Sequence, residues 1–202
     1  MILFHSPGAC SLGIRLILEE IGQPYATRII DVKTGAQRHP DYLRINPKGK
    51  VPALLRPDGT LLTEFPAIAL WLARSFPQAG LLPEGLEAEV RALELIDQIV
   101  ATLHMRGATL AMLPQKFVSD PGAQTELRLH GQTVVQAGYE ALAVRLAGAD
   151  YIMGDYSIAD AAAFYLLNWH ARIGVELNDT LQGYMQRMME RPAVARALAT
   201  TG

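Results

Sequence analysis

The chain has 202 residues, half of them hydrophobic and 19% charged, which excludes global disorder, since disordered chains are poor in apolar residues and rich in charge. Eighteen Lys+Arg against 20 Asp+Glu leave a formal net charge of −2, without the basic surplus that broad nucleic-acid binding requires. The single cysteine, Cys10, excludes an internal disulfide and a Cys-rich zinc site, and fits a reducing cytoplasm.

Met1–His5 is a short apolar run with no basic flank, and it meets Ser6-Pro7-Gly8 at once. It reads as a strand ending in a turn; a signal peptide is not expected. Ser11 could cap a helix whose apolar face is Ile14, Ile17, Leu18 and Ile21, with Gly22 as its stop. Tyr25–Asp31 reads as a second strand. Pro52–Arg56 and Thr60–Thr63 flank Pro57-Asp58-Gly59, a hairpin turn signal. A helix is predicted from Pro66 to about Ser75, because proline at the first helical position wastes no donor. The order is β-α-β followed by β-β-α.

Residues 77–85 hold two prolines and two glycines and read as a linker. Beyond it the pattern predicts helices over 86–111, 122–147, 158–173, 179–190 and 192–199, with almost no strand signal. No apolar run reaches the roughly 20 residues of a membrane-spanning helix. The expected organisation is a small α/β domain over 1–76, the linker, and an all-α domain over 86–202.

Five features could carry chemistry. Cys10 precedes a helix, where free N–H groups and the helix dipole stabilise a thiolate; it could equally be a small buried apolar residue. Val51-Pro52 opens a strand, where a proline marks an edge or special position. Trans is the common isomer of such a bond, and a cis bond would expose the Val51 backbone to an extended ligand. With Pro66 first in its helix, Phe65 takes the cap position. It offers no side-chain acceptor there, so a ligand carboxylate could take the helix N–H groups and Glu64 a ligand ammonium. The bland alternative is a packed phenylalanine beside a solvated glutamate. Ser157 and Asp160 fit a capping box, with Asp160 buried as the partner of backbone donors. His104 on a long helix is, taken alone, a surface or satisfied core residue. No HxxxH or HExxH spacing surrounds it, so no metal site is expected.

Together, Ser6-Pro7-Gly8-Ala9-Cys10-Ser11-Leu12, Asn46-Pro47-Lys48-Gly49-Lys50-Val51-Pro52-Ala53-Leu54 and Leu62-Thr63-Glu64 resemble the glutathione transferases. The cysteine in the first loop looks most like the bacterial beta class. Ser157-Ile158-Ala159-Asp160, Asn168-Trp169 and Glu190-Arg191-Pro192-Ala193-Val194 match the helical half of that family. The resemblance covers essentially the whole chain in the right order.

It implies a thioredoxin-like N-terminal domain, an all-α C-terminal domain, a cytoplasmic homodimer and glutathione as co-substrate, conjugated to small electrophiles in detoxification. By resemblance, Val51-Pro52 is a cis bond whose Val51 backbone pairs with the tripeptide. Ala9 and Ser11 belong to the loop around its sulfur, Glu64 and the amide of Phe65 hold its γ-glutamyl end, and Lys33 and Lys50 its glycyl carboxylate. Cys10 lies near the glutathione sulfur, and His104 approaches that sulfur from the helical domain. Asp97 falls near an asparagine that contacts the neighbouring subunit's glutathione in relatives. Phe65 replaces a Ser, Asn or Gly of many relatives. Gly107 and Ala111 replace aromatic residues, which implies a roomier acceptor cleft lined by Met105, Tyr165 and Trp169. The alternatives are a glutathione-dependent thiol/disulfide reductase or lyase using Cys10, and a non-catalytic binding protein.

Overall fold

The computed structural model describes residues 1–199, so residues 200–202 of the expected helical domain lie outside it. The chain divides into two units, Met1–Leu82 together with the segment from Met189 onward, and Pro83–Met188. The boundary thus falls inside the expected linker. That linker is not a bare tether: it contains a 3-10 turn over Pro77–Ala79 and a buried Leu81.

In the first unit, strands β1 (Ile2–His5), β2 (Ala26–Ile29), β3 (Ala53–Leu55) and β4 (Leu61–Thr63) form one sheet in the order β2-β1-β3-β4. β2 runs parallel to β1, while β3 and β4 are antiparallel additions. Side chains alternate across a strand. Phe4 therefore points to one face, where it meets Ala53 and Tyr42, the Phe4 and Tyr42 rings lying 5.6 Å apart. His5 points to the other face, toward helix α1 (Ser11–Ile21), and bonds Ser11 there. Tyr42 belongs to α2 (Pro40–Ile45), a short helix the sequence pattern did not announce. Its N-cap is His39, whose ring accepts from the Asp41 amide, an unusual cap that a propensity-based reading passes over. Helix α3 (Phe65–Ser75) closes the β-β-α half.

In the second unit, α4 (Leu86–Asp97), a π-helical stretch over Gln98–Ala108 and α5 (Thr109–Met112) follow one another without a break. Helix α6 (Pro121–Arg145) packs along the π-helical stretch and α5. Helix α7 (Ile158–Leu167) is buried at every position. The single helix expected over 158–173 is two: the Trp169 amide reaches only to the Leu166 carbonyl, a tightened turn, before α8 (His170–Ile173). Helix α9 is Asp179–Met189.

The capping box forms as expected: Ser157 is the N-cap of α7, and its amide donates to Asp160. Asp160 also accepts from the Ile152 amide and the Tyr184 hydroxyl. Burial still raises its carboxyl pKa, and the hydrogen bonds oppose that without cancelling it.

The last helix, α10 (Pro192–Leu198), was expected in the helical domain but belongs to the first unit and packs on α1. The cause is electrostatic as well as apolar. Arg191 pairs with Glu20 at 2.7 Å, Arg196 pairs with Glu19 at 2.8 Å, and Arg15 donates to the Arg196 carbonyl. These partners are far apart in sequence, so no local pattern could reveal them.

Candidate functional site

In the first unit the site is built around the start of α1. Cys10, not Ser11, is the N-cap of that helix, and no side chain caps it. The Cys10 thiol donates to the Val51 carbonyl at 3.5 Å, which ties the first loop to the cis Val51–Pro52 peptide before β3. Ser11 is fully buried. Its hydroxyl bonds His5 Nδ1 at 2.9 Å and accepts from the Ser6 amide at 3.1 Å. The Ser11 side chain is therefore a bracket between β1 and α1. Ala9, half-buried, closes the loop with its amide on the Ser6 carbonyl.

The expectation that the helix start would favour a thiolate at Cys10 does not hold. Desolvation pushes the thiol up to about 12, with Glu64 acting in the same direction. The amides of Cys10 and Ser11 and the Lys50 charge pull it down, but desolvation outweighs them. Cys10 is a neutral thiol in this protein.

Glu64 is the N-cap of α3, and Phe65 is the first helical residue rather than the cap. Phe65 is 3% exposed and packs inward, so the aromatic ring does not stand over the site. Glu64 has φ 70°, the only non-glycine residue with positive φ among those described. Such backbone costs of order 1–3 kcal/mol and is found where a function requires it. It turns the Glu64 carboxylate outward, where Lys48 pairs with it at 2.6 Å. Both side chains of that pair are about half exposed, and an exposed ion pair contributes at most about 1 kcal/mol. A ligand ammonium can therefore take the place of Lys48 at little cost.

Lys50 is exposed, and its carbonyl is held by the Tyr42 hydroxyl at 2.7 Å and the Asn46 amide at 2.8 Å. Lys33 is also exposed, with its amide fixed on Asp31. Sequence reasoning missed Lys48, His5 and Tyr42. Lys48 was visible in the Asn46-Pro47-Lys48-Gly49-Lys50 run, but nothing in the run says that its side chain crosses to Glu64.

In the second unit His104 sits in the π-helical stretch. The His104 carbonyl accepts from both the amide and the hydroxyl of Thr109, the i→i+5 bond that defines the wider turn. Its ring meets Trp169 edge-on at 4.9 Å and Tyr165 at 5.7 Å, and Nδ1 lies 3.3 Å from the Tyr165 hydroxyl.

Tyr165 and Trp169, expected as walls of an acceptor cleft, are buried at 0% and 4% exposure. They support His104 instead. Met105, next to it, is 44% exposed and offers apolar surface. Gly107 and Ala111 do not widen a cleft. Both are buried against α6, where a Cβ on Gly107 would lie 2.8 Å from Val135, leaving no room for an aromatic ring. The expected cleft positions came from the resemblance to the beta class; here both are taken up by the packing of α6. Asp97, at the end of α4, is exposed. Among the described residues no three His, Cys, Asp or Glu side chains gather as a metal site, and no helix is long and apolar enough to cross a membrane.

Residues 8–75 match the family model of the glutathione S-transferase N-terminal domain, and residues 100–192 that of the C-terminal domain. The chain is 36% identical to glutathione S-transferase GstA of Escherichia coli O157:H7, over 100% of this chain and 99% of the relative. A sphingomonad glutathione S-transferase solved in complex with glutathione is 33% identical, with a TM-score of 0.85, covering 98% of this chain and 97% of that one. The bacterial beta class enzyme of Sphingomonas chungbukensis is 32% identical, with a TM-score of 0.86 and the same coverage.

Proposed function

The chain belongs to the glutathione S-transferase family, and we propose that it joins the sulfur of glutathione to small, mostly apolar electrophiles. The observation that carries this reading is the Cys10 thiol on the Val51 carbonyl, beside an outward-facing Glu64. An extended tripeptide pairing with the Val51 backbone brings its own sulfur to Cys10. Its γ-glutamyl ammonium replaces Lys48 on Glu64, and its γ-glutamyl carboxylate takes the start of α3 at Phe65. Lys33 and Lys50 hold the glycyl carboxylate.

The thiol of glutathione loses its proton to solvent. Its sulfur then forms a bond to an electrophilic carbon, and the leaving group departs with its electron pair. Amides around Cys10, together with His104, stabilise the thiolate. Holding the two reactants in line supplies much of the rate.

The neutral state of Cys10 favours conjugation over disulfide exchange, because exchange needs a thiolate at the attacking residue. The reading includes a homodimer with Asp97 near the partner's ligand, a cytoplasmic location and a detoxifying role. Calorimetric titration of the reduced protein with glutathione, followed by an aryl-halide conjugation assay, tests it. Micromolar to low-millimolar binding near one site per chain, with turnover, is expected. Binding without turnover leaves a binding protein, and disulfide exchange faster than conjugation leaves a reductase.

A further inference from the structure

Tyr165 lies on α7, fully buried, on a helix with no exposed position. Its hydroxyl is 3.3 Å from His104 Nδ1, and its ring stands at 74° to the imidazole. Trp169 flanks the imidazole at 80° and packs on Tyr165 at 5.2 Å. Two rings thus pack on the imidazole of His104, and the Tyr165 hydroxyl addresses its Nδ1. The backbone of His104 is pinned separately, through its carbonyl and Thr109.

We propose that Tyr165 is a positioning residue: its hydroxyl donates to His104 Nδ1 and holds the neutral imidazole in the tautomer that carries its proton on Nε2. A neutral imidazole has one donor and one acceptor nitrogen, so a hydrogen bond at one settles the other. Of the two possible senses of this contact, phenol to imidazole has the more acidic donor, since a phenol ionises near pH 10 and a neutral imidazole N–H far above that. The reverse sense would leave Nε2 as a bare lone pair, which repels a thiolate. With Tyr165 donating, Nε2–H is a donor, and His104 stabilises a sulfur anion by a hydrogen bond rather than by accepting its proton. This consequence for catalysis rests on the transferase reading; the tautomer does not.

The test is nitrogen-15 NMR of the imidazoles in the whole protein without ligand, with the His104 signals assigned by their loss in His104→Gln. The wild type is expected to show His104 protonated at Nε2. Tyr165→Phe keeps the ring and removes only the hydroxyl. It is expected to abolish that tautomer preference and to lower kcat about tenfold, the loss of one hydrogen bond, with KM for glutathione unchanged. Protonation at Nδ1 in the wild type, or an unchanged tautomer in Tyr165→Phe, overturns the proposal whatever the activity. A rise in KM with constant kcat also overturns it, since that would make the residue part of ligand binding. Absence of conjugation by the wild type overturns the transferase reading instead, and the tautomer is still read.

Discussion

The two units place their reactive groups by opposite means. In the first unit the candidate site is made of the Val51 carbonyl, which accepts from the Cys10 thiol, the starts of two helices that no side chain caps, and charges standing in solvent at Lys48, Lys50 and Glu64. In the second unit His104 is held by two buried rings, Tyr165 on a helix with no exposed position and Trp169 just beyond that helix. A site made of backbone leaves its side chains free to turn inward, as Phe65 does. Positioning by packed rings does not, because each ring is fixed by its neighbours.

The largest effect that would sharpen this contrast is at Asp160. Asp160→Ala leaves the Ile152 and Ser157 amides and the Tyr184 hydroxyl without their shared acceptor. It should cost about 3 kcal/mol or more in urea unfolding, at about 1–3 kcal/mol per stranded buried donor. A loss below about 1 kcal/mol would show that the second unit does not depend on this bracket.

Next is the reactivity of Cys10. With its thiol at about 12 rather than 9.0, its thiolate at neutral pH is scarcer by about a thousandfold than that of an ordinary cysteine. Alkylation by iodoacetamide should be slow and should keep rising to beyond pH 10. A plateau near pH 7 would place a thiolate at the start of α1 after all.

The third effect is at His5. Burial, with Arg15 adding to it, lowers its pKa from 6.5 to about 4. Between those values the unfolded chain binds more protons than the folded one, so stability falls as pH drops, by up to about 3 kcal/mol. Asp160 has the opposite sign, since its carboxyl pKa is raised. The quantity to measure is therefore the difference in pH slope between the wild type and His5→Asn, and equal slopes would contradict a neutral His5.

The smallest effect is at Glu64. Glu64→Gln should weaken glutathione binding about tenfold, the worth of one charge-assisted hydrogen bond, and leave the melting temperature nearly unchanged. A large drop in melting temperature would instead mean that the Lys48 pair is structural.

Much of the first unit was legible in the sequence because its signals are local. The strands, Gly22, the Pro57-Asp58-Gly59 turn and Pro66 each act through their own backbone. The Ser157–Asp160 capping box was legible for the same reason. What escaped is non-local. Cys10 reads as a helix-start thiolate until the desolvation of its sulfur is known. Gly107 and Ala111 face α6, a non-local contact, and a Cβ on Gly131 would come within 2.5 Å of the Gly107 carbonyl. Tyr165 reads as a cleft wall because an aromatic near a histidine says nothing of which atoms face it.

The packing of α10 on α1 also bears on synthesis. Chains usually fold as they emerge, N-terminal domain first. Here every residue of the second unit leaves the ribosome before α10 does, and α10 covers part of the first helix to have been made. Through most of translation, Glu19, Glu20 and Arg15 wait without the partners that Arg191 and Arg196 bring. Of the two units, the one that holds α1 is thus the later to be completed, and the arrival of α10 sets the moment at which α1 is covered.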